Sequence, residues 1–435
     1  MKLTSKILFA FILLIMVLPS VQKKTHFIHS NSLNGVFEST PQPVFSRKTW
    51  LDGNFQDQLR KYVEDSAGFK SDFVRLYNQF DFSLFSIPHA EKIVAGKNGN
   101  LFGEQYIESY LGRNFVGKEF IDEKVALTKK LQDKLWNEKK ILLLVIFTPD
   151  KGTFFPEDIP DHYLREKKDI NNYSCYVKKY KEAGVNFIDF NKYWLMMKST
   201  SRYPLYPTTG IHWSCYGAVL AADSLTRYLE TKLGRPVPHI VIDKIEVSKK
   251  ARNEDNDIER TLNLIWEIPH PAYAYPAFHF TSDPSKPKPA ALFVGDSFYW
   301  NWYNPGLINN IFSNAEFWYY DRDVYPETST HSVSTTQVDL STALFRQNVI
   351  ILMQTNAASG DPGYGFVERV LSKIDSSTSR VTYFESQIRS NPDWLKAVGK
   401  KAKERNIPLE EMIRRDAQYM VDQELMAKQP KKHQP

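Results

Sequence analysis

Continuous runs of apolar residues recur along the chain and predict strands that are covered on both faces, because neither face of such a strand meets water. Turn-forming residues bound each run, and the expected strands are 141–147, 185–190, 291–294 and 348–354. Between them, apolar positions repeat at the 3.6-residue spacing of helices. The expected helices are 119–139, 169–183 and 217–231. Helices that alternate with buried strands are typical of an α/β domain with a parallel sheet.

Further patterns flank this core. Residues 50–85 carry apolar side chains at helical spacing and predict an amphipathic helical lead-in, and Gly96-Lys97-Asn98-Gly99 predicts a turn between two short strands. Residues 235–290, rich in proline and aromatic residues, are expected to be irregular and include an acidic turn, Asp255-Asn256-Asp257. From residue 380 onward, charged residues with helical apolar spacing predict an appended helical tail.

The N-terminus has the design of a secretory signal. Lys2 and Lys6 precede an apolar run over residues 7–21, which is short for a complete transmembrane helix and shows no A-x-A cleavage pattern. A cleaved signal peptide and an uncleaved membrane anchor both remain open, and the rest of the chain is expected outside the cytoplasm. The expected divisions are 1–24 signal or anchor, 25–46 polar linker, 47–378 main domain and 379–435 helical tail.

Composition narrows the functional classes. The 435 residues are 42% hydrophobic and 24% charged, as in globular proteins. The net charge is +6, but basic residues are scattered, so we expect no nucleic-acid partner. Cys175 and Cys215 are too few for a disulfide scaffold, and one bridge or two free thiols both remain open. Aromatic residues reach 14%, which suits a carbohydrate-binding surface and a packed core alike.

Ser297 is a candidate nucleophile. It follows the strand expected at 291–294 through Gly295-Asp296, and open α/β sheets place their ligands at the carboxyl ends of such strands. Gly295 permits a sharp bend that frees the next N–H groups to hold an anion. The same tripeptide is also an ordinary strand-ending turn, because all three residue types favour turns.

His212 is the candidate base. It lies in a loop directly before the helix expected at 217–231, and loops over a sheet edge are where catalytic residues gather. Trp213 follows it and is expected to shield the site from water.

The order of these motifs resembles the SGNH hydrolase-like domain of the alginate O-acetyltransferase family, the AlgJ and AlgX type. The resemblance rests on the downstream G-D-S-F motif, the upstream H-W motif and several shorter elements between residues 50 and 370. These elements are Leu51-Asp52-Gly53, the 96–102 turn, Pro149-Asp150-Lys151 and Leu262-Asn263-Leu264. The resemblance implies an α/β fold with a parallel sheet flanked by helices.

The resemblance also implies an acyl-transfer mechanism, with Ser297 as nucleophile and His212 as base. The implied enzyme is an extracytoplasmic O-acetyltransferase, either held by an inner-membrane anchor or released by signal cleavage. It acts on an exported polysaccharide and receives its acyl group from a membrane-bound O-acyltransferase. It needs no metal or organic cofactor. A carbohydrate acetyl esterase and a catalytically weak glycan-binding subunit are the alternatives.

One residue departs from the family's motif, which has an aspartate two positions before the histidine. This chain has Gly210 there. In a Ser-His-Asp triad the carboxylate orients the imidazole and stabilises its charged form. Three interpretations remain open: a Ser-His dyad, a weakened catalyst, or a substitute carboxylate. The candidates for the substitute are Asp150, Asp189 and Asp296.

Other residues complete the expected site. Asp296 is expected to be catalytic, although it could simply bond the turn backbone. Asn356, after the strand expected at 348–354, is expected to offer an amide to the substrate, although a turn-forming role is an alternative. Lys151 is expected to hold an anionic glycan or acyl oxygen, although it could be a solvated loop charge. Trp213 and Tyr299 are expected to contact substrate.

Overall fold

The computed structural model describes residues 3–35, 40–165, 168–281, 287–325 and 332–427. The strands are β1 Ile93–Ala95, β2 Leu101–Gly103, β3 Leu142–Phe147, β4 Phe187–Asp189, β5 Ile240–Ser248, β6 Tyr273–Phe280, β7 Ala290–Gly295, β8 Asn314–Tyr319, β9 Asp323–Tyr325, β10 Val333–Ser334 and β11 Val349–Gln354.

The first nine helices are α1 Leu3–Thr25, α2 Arg47–Leu51, α3 Asn54–Ser66, α4 Lys70–Phe85, α5 Glu104–Leu111, α6 Lys118–Lys139, α7 Lys151–Phe154, α8 Asp161–Leu164 and α9 Asn172–Ala183. The others are α10 Phe190–Met197, α11 Cys215–Leu233, α12 Asp257–Leu262, α13 Trp300–Tyr303, α14 Leu307–Ile311, α15 Leu340–Phe345, α16 Phe366–Ser390, α17 Pro392–Glu404 and α18 Leu409–Ala427.

The central sheet has the strand order β10-β9-β8-β7-β11-β3-β4. The five strands from β8 to β4 pair in parallel, and β9 and β10 extend the sheet antiparallel. All six residues of β3 and all six of β11 are buried, as their continuous apolar runs predict. The expected α/β fold with a mostly parallel sheet is confirmed.

Helices cover both faces of this sheet. One core forms between the sheet and helices α10, α11, α13 and α14. A second core lies on the other face, under α6, α9, α15 and α16. Because parallel strands all point the same way, the carboxyl ends of β7, β11, β3 and β4 meet at one edge.

The expectation that residues 235–290 are irregular is wrong. Strands β5 and β6 form an antiparallel pair over most of their length, and α12 lies between them in the chain. The strand signal is weak in β5 because Asp243, Lys244 and Glu246 interrupt its apolar residues. Strand β8 also lies in a part of the chain for which no strand was predicted.

The predicted tail is continuous with the main domain. Helix α16 runs unbroken from Phe366 to Ser390, so the boundary expected at residue 379 falls inside it. Its first part packs on the sheet, whereas Phe384 and Ile388 join α17 and α18 in a separate apolar cluster.

At the N-terminus, α1 is the one helix, among the residues that the structure describes, that is long and apolar enough to cross a membrane. It covers the predicted apolar run with a few residues on either side. Cys175 and Cys215 are both free, so of the two open alternatives the structure has the unpaired thiols.

Candidate active site

Two loops meet at the carboxyl edge of the sheet. Ser297 begins the short helical turn after β7, and His212 lies in the loop that leads into α11. The Nε2 atom of His212 is 2.9 Å from the Oγ atom of Ser297. The two residues are 85 positions apart in the chain, and the fold brings them into direct hydrogen-bond contact.

A carboxylate completes the arrangement. The Oδ2 atom of Asp257 is 2.6 Å from Nδ1 of His212, on the opposite side of the imidazole from Ser297. With Asp257 ionised, Nδ1 carries the ring proton and Nε2 is left to accept a proton from the serine hydroxyl. The three side chains therefore have the geometry of a Ser-His-Asp triad.

Asp257 also holds the histidine loop in place. Its second oxygen, Oδ1, accepts hydrogen bonds from the backbone N–H groups of Ile211 and Ile258, each at 2.8 Å. Asp257 is the first residue of α12, so this helix delivers the carboxylate to the loop. One side chain thus fixes both the backbone beside His212 and the orientation of its ring.

The environment favours a charged imidazole. Burial by itself would lower the pKa of His212, but the charge of Asp257 and its hydrogen bond to Nδ1 raise it, helped by the charges of Asp296 and Glu254. The net result is a pKa above the ordinary value for histidine. A base of this kind accepts a proton readily and then holds the resulting cation against Asp257.

The backbone at Ser297 offers a hydrogen-bond donor next to the hydroxyl. Among the described residues, the N–H of Ser297 makes no backbone hydrogen bond. A Cβ atom on Gly295 would lie 2.5 Å from the carbonyl oxygen of Met353, so only glycine fits where β7 passes β11. The Ser297 side chain is partly exposed, whereas both neighbouring residues are buried. Its hydroxyl is therefore accessible to a substrate, with a free N–H donor on the same residue.

The three carboxylates proposed as substitutes do not face Nδ1 of His212. Asp150 accepts the N–H of Thr153 at 2.8 Å and caps α7, and burial raises its pKa to about 7. Asp189 accepts the hydroxyl of Tyr173 at 2.9 Å and caps α10.

Asp296 bonds the backbone of its own turn. It accepts the N–H of Phe298 at 3.1 Å and that of Thr355 at 2.8 Å, and burial raises its pKa. It thereby joins the ends of β7 and β11. The geometry favours the alternative interpretation, in which Asp296 stabilises the turn beside Ser297.

Lys151 does not face solvent, so the structure does not support the expectation that it holds an anionic substrate. Its side chain is fully buried. Its Nζ donates to the carbonyl oxygens of Thr208 and Gly210, each at 2.7 Å. Burial lowers its pKa to about 7, against the opposing charges of Asp257 and Asp158. Lys151 therefore ties the end of β3 to the histidine loop.

Trp213, Tyr299 and Asn356 also lie in the interior, which argues against the substrate contacts expected for them. Trp213 packs on Phe298 with a centroid distance of 5.5 Å, and both rings belong to the core next to the triad. Tyr299 stacks on Phe317 at 4.0 Å. Asn356 accepts a hydrogen bond from the side-chain amide of Asn191 at 3.0 Å, which ties two strand ends together.

Residues 93–304 match the family model described as the SGNH hydrolase-like domain of acetyltransferase AlgX. Residues 93–304 of this chain belong to the AlgX-type SGNH hydrolase-like acetyltransferase family. The matched span of this acetyltransferase domain includes Lys151, His212, Asp257 and Ser297, whereas β8 and β11 lie beyond it. No curated protein sequence matches the chain.

Several solved structures are similar to the acetyltransferase domain and its surroundings. The O-acetyltransferase domain of Pseudomonas putida AlgJ is 16% identical, with a TM-score of 0.40, 62% of this chain covered and 92% of that chain. Pseudomonas aeruginosa AlgX is 14% identical, with a TM-score of 0.41 and coverages of 66% and 71%. Bacillus cereus PatB1 is 11% identical, with a TM-score of 0.35 and coverages of 56% and 91%.

Asp257 is the residue of this acetyltransferase domain that the sequence interpretation missed. It lies 45 positions after His212, in the acidic turn of a stretch expected to be irregular. Two signals pointed to it. Gly210 left the motif without its aspartate, and an acidic turn followed by Ile258 and Leu262 is a helix start that offers a carboxylate.

Proposed function

We propose that this chain is an extracytoplasmic O-acetyltransferase that moves an acetyl group through an acyl-serine to hydroxyl groups of an exported polysaccharide. The observation that carries the mechanism is the continuous hydrogen-bonded path from Ser297 through His212 to Asp257. The match to an acetyltransferase family supports acetyl as the group that is transferred. The family resemblance described from the sequence supports the polysaccharide acceptor.

The first half-reaction forms the acyl-enzyme. The Oγ atom of Ser297 attacks the carbonyl carbon of the donor while Nε2 of His212 removes the hydroxyl proton. The imidazolium that forms is stabilised by Asp257, and the N–H of Ser297 donates to the developing oxyanion. When the tetrahedral intermediate collapses, His212 returns the proton to the leaving group, and the acetyl group stays on Ser297.

The second half-reaction runs the same steps in reverse. An acceptor hydroxyl takes the place of the leaving group, and His212, now neutral, removes its proton. The acceptor oxygen attacks the acyl-serine, and the proton returns to Ser297 as the new ester departs. Water in the acceptor position would give hydrolysis by the same residues, so the choice between transfer and esterase activity depends on the acceptor.

The proposed location of the enzyme rests on α1. The helix is about 35 Å long at the usual helical rise, which is enough to cross a bilayer. We propose that it is a membrane anchor with the acetyltransferase domain outside the cytoplasm. A membrane-bound O-acyltransferase is the proposed source of the acetyl group.

The test uses the full chain with an activated acetyl ester, with and without an oligosaccharide acceptor. We expect acetylated sugar in the presence of the acceptor, and a peptide containing Ser297 that is heavier by one acetyl group in its absence. Ser297→Ala should lower both products by at least ~10³-fold, because the nucleophile is lost. The exposed Ser313→Ala is the matched control and should keep full activity.

Each outcome separates the functions. Release of acetate alone, with no transfer to any sugar offered, would identify an esterase. Unchanged transfer by Ser297→Ala would overturn the acyl-serine mechanism.

A further inference from the structure

Helix α4 buries polar side chains and exposes large apolar ones. Its buried residues are the polar Asn78 and Gln79, whereas Phe73, Leu76 and Phe80 are 53%, 56% and 56% exposed. Leu84 continues this row at 62% exposure. The spacing of three and four residues places these four side chains on one face of the helix. We call Phe73, Leu76, Phe80 and Leu84 the α4 stripe.

Both buried polar residues of α4 form hydrogen bonds with the backbone at and after the end of α12. The Nδ2 atom of Asn78 donates to the carbonyl oxygen of Leu262 at 2.8 Å. The Oε1 atom of Gln79 accepts the backbone N–H groups of Ile265 and Trp266, both at 3.0 Å. These bonds hold the side of α4 that carries Asn78 and Gln79 against the protein, because buried polar groups need hydrogen-bond partners. The α4 stripe, on another side of the helix, therefore faces outward.

Other exposed apolar residues lie next to the stripe. Trp266 and Ile265, which Gln79 holds against α4, are 68% and 45% exposed. Tyr77 is also exposed and stacks on His89 with a centroid distance of 4.8 Å. Soluble proteins rarely expose a contiguous surface of this kind unless it contacts a membrane or another protein.

The start of α4 is fixed to the end of α1. Lys23 donates from Nζ to the hydroxyl of Ser66 at 2.6 Å, and the rings of Phe27 and Phe69 meet at 5.9 Å. A Cβ atom on Gly68 would lie 2.2 Å from the carbonyl oxygen of Pro19, so the two segments are in tight contact. The stripe therefore begins beside the point where the proposed anchor leaves the membrane.

From this continuity we propose that the α4 stripe, with Trp266, lies in the headgroup and upper acyl region of the bilayer that α1 crosses. Phe, Leu, Tyr and Trp are the side chains that favour this region, and an interfacial helix buries its apolar face there. Lys23 and Lys24, at the end of α1, lie where lipid phosphates would meet them. The proposal rests on the membrane location proposed for α1.

Contact between the α4 stripe and the bilayer would also position the active site. The inner face of α4 bonds the carbonyl of Leu262, the last residue of α12. Phe82 of α4 also packs against a buried apolar cluster that contains Leu262 and Ile258 of α12. The first residue of α12 is Asp257. A stripe seated on the bilayer would thus hold the triad at a fixed position relative to the membrane, where a membrane-bound acyl donor must present its group.

The test places single spin labels on the full chain in vesicles of phosphatidylethanolamine and phosphatidylglycerol. Cys175 and Cys215 are first replaced by serine, and the melting temperature confirms that the fold is intact. Cysteines for labelling then replace each residue of the α4 stripe. Leu14 of α1 is the control for anchor insertion, and the exposed Glu138 of α6 is the control for an aqueous position.

We expect labels on the stripe to collide several-fold more with oxygen and less with a water-soluble nickel chelate than the Glu138 label. Stripe labels open to the chelate while the Leu14 label is buried would overturn the proposal and leave the anchor intact. An exposed Leu14 label would refute the anchor, and with it the proposal. If the stripe labels were protected from the chelate in native membranes but not in vesicles that contain only this chain and lipid, a membrane protein would cover the surface, and the proposal of a lipid contact would be overturned.

Discussion

Gly210 leaves no room for a side chain at the position where the family's motif carries its aspartate. A Cβ atom there would lie 2.6 Å from the carbonyl oxygen of Glu254 and 2.9 Å from that of Asp255. The segment that occupies this space is the one that delivers Asp257 to His212. In this chain the carboxylate facing His212 comes from the start of α12, and the absence of a side chain at Gly210 leaves space for the segment that precedes α12.

The first prediction concerns Asp257→Asn. The substitution removes the charge that raises the pKa of His212, so that pKa should fall. A general base must be neutral, so activity rises with pH through its pKa, and a lower pKa moves the acid limb of kcat/KM to lower pH. The rate at neutral pH should fall roughly 10³- to 10⁴-fold, because the imidazolium loses its partner.

The measurement is kcat/KM against pH for the wild type, Asp257→Asn and Asp189→Asn. Asp189 caps α10 and serves as the control, with a profile expected to match the wild type. An unmoved acid limb together with less than a ten-fold loss for Asp257→Asn would show that the carboxylate has no part in the chemistry.

The second prediction is that restoring the family's aspartate does not rescue this variant. Gly210→Asp in the Asp257→Asn background places a Cβ against the Glu254 carbonyl, so α12 must move away. We expect a lower melting temperature and no recovery of kcat/KM. Recovery of kcat/KM to within ten-fold of the wild type would mean that a carboxylate at position 210 can replace the one at position 257.

The third prediction concerns Lys151→Met. The buried ammonium has a pKa of about 7 in the folded protein, against an ordinary value of 10.5. Between these pH values the unfolded chain binds a proton that the folded chain does not, so stability rises with pH over this interval. Replacing the lysine should flatten this rise and, by releasing the carbonyls of Thr208 and Gly210, lower activity.

Thermal unfolding at several pH values between 7 and 10 checks this prediction. The exposed Lys192→Met is the control and should keep the wild-type slope. A slope in Lys151→Met equal to that of the wild type would mean that another group causes the dependence.

The sequence predicted part of the site because local patterns mark some of its residues and not others. Ser297 and His212 stand in loops next to a strong strand and a strong helix, so their places at the sheet edge follow from the strand direction. Lys151 also follows a strong strand, but whether its side chain points to solvent or to Gly210 depends on a loop packed over it. Pairing of Asp257 with His212 is a tertiary contact that no local pattern encodes.

At the scale of elements, the sheet was predictable where burial is complete and not where it is partial. Strands β3, β7 and β11 read as unbroken apolar runs. Among the described strands, β5 pairs only with β6 and leaves much of its length exposed, so its sequence mixes apolar and charged residues. Helix α4 differs, because its apolar period predicted the helix but its regularly spaced apolar residues are the exposed ones.

The close approach of β7 and β11 gives the fourth prediction. Gly295→Ala would place a methyl group 2.5 Å from the carbonyl oxygen of Met353. The strands would have to separate beside Ser297, so we expect a loss of about 1–3 kcal/mol in the free energy of unfolding and a lower rate of transfer.

Urea unfolding and kcat together test this. The control is Gly399→Ala in α17, where the nearest atom is 3.9 Å away. Alanine in that helix should instead stabilise by about 0.5–1 kcal/mol, with no change in rate. If the two substitutions changed the free energy of unfolding and kcat equally, β7 and β11 would have room for a methyl group at this point.

At the scale of the whole molecule, α16 joins the core of the sheet to a separate apolar cluster among the C-terminal helices. The sheet and its covering helices form the large cores that carry the triad. The cluster between α17, α18 and the second part of α16 is separate, although α16 itself is continuous. A helix shared by two cores can transmit unfolding between them or open in the middle, and the stability of each side decides which occurs.

The last prediction follows from this division. Ile413 is buried among α16, α17 and α18, and Ile413→Ala should cost the cluster about 2–5 kcal/mol. Hydrogen exchange should then speed up over residues 392–421 while the amides of β3 and β7 keep their protection, and acetyl transfer should be unchanged. Ile351→Ala in β11 is the reciprocal variant, expected to expose the sheet and abolish transfer. If Ile413→Ala instead accelerated exchange in β3 and β7 to the same extent, α16 would couple the two cores into one unit, and the C-terminal helices would contribute to the stability of the active site.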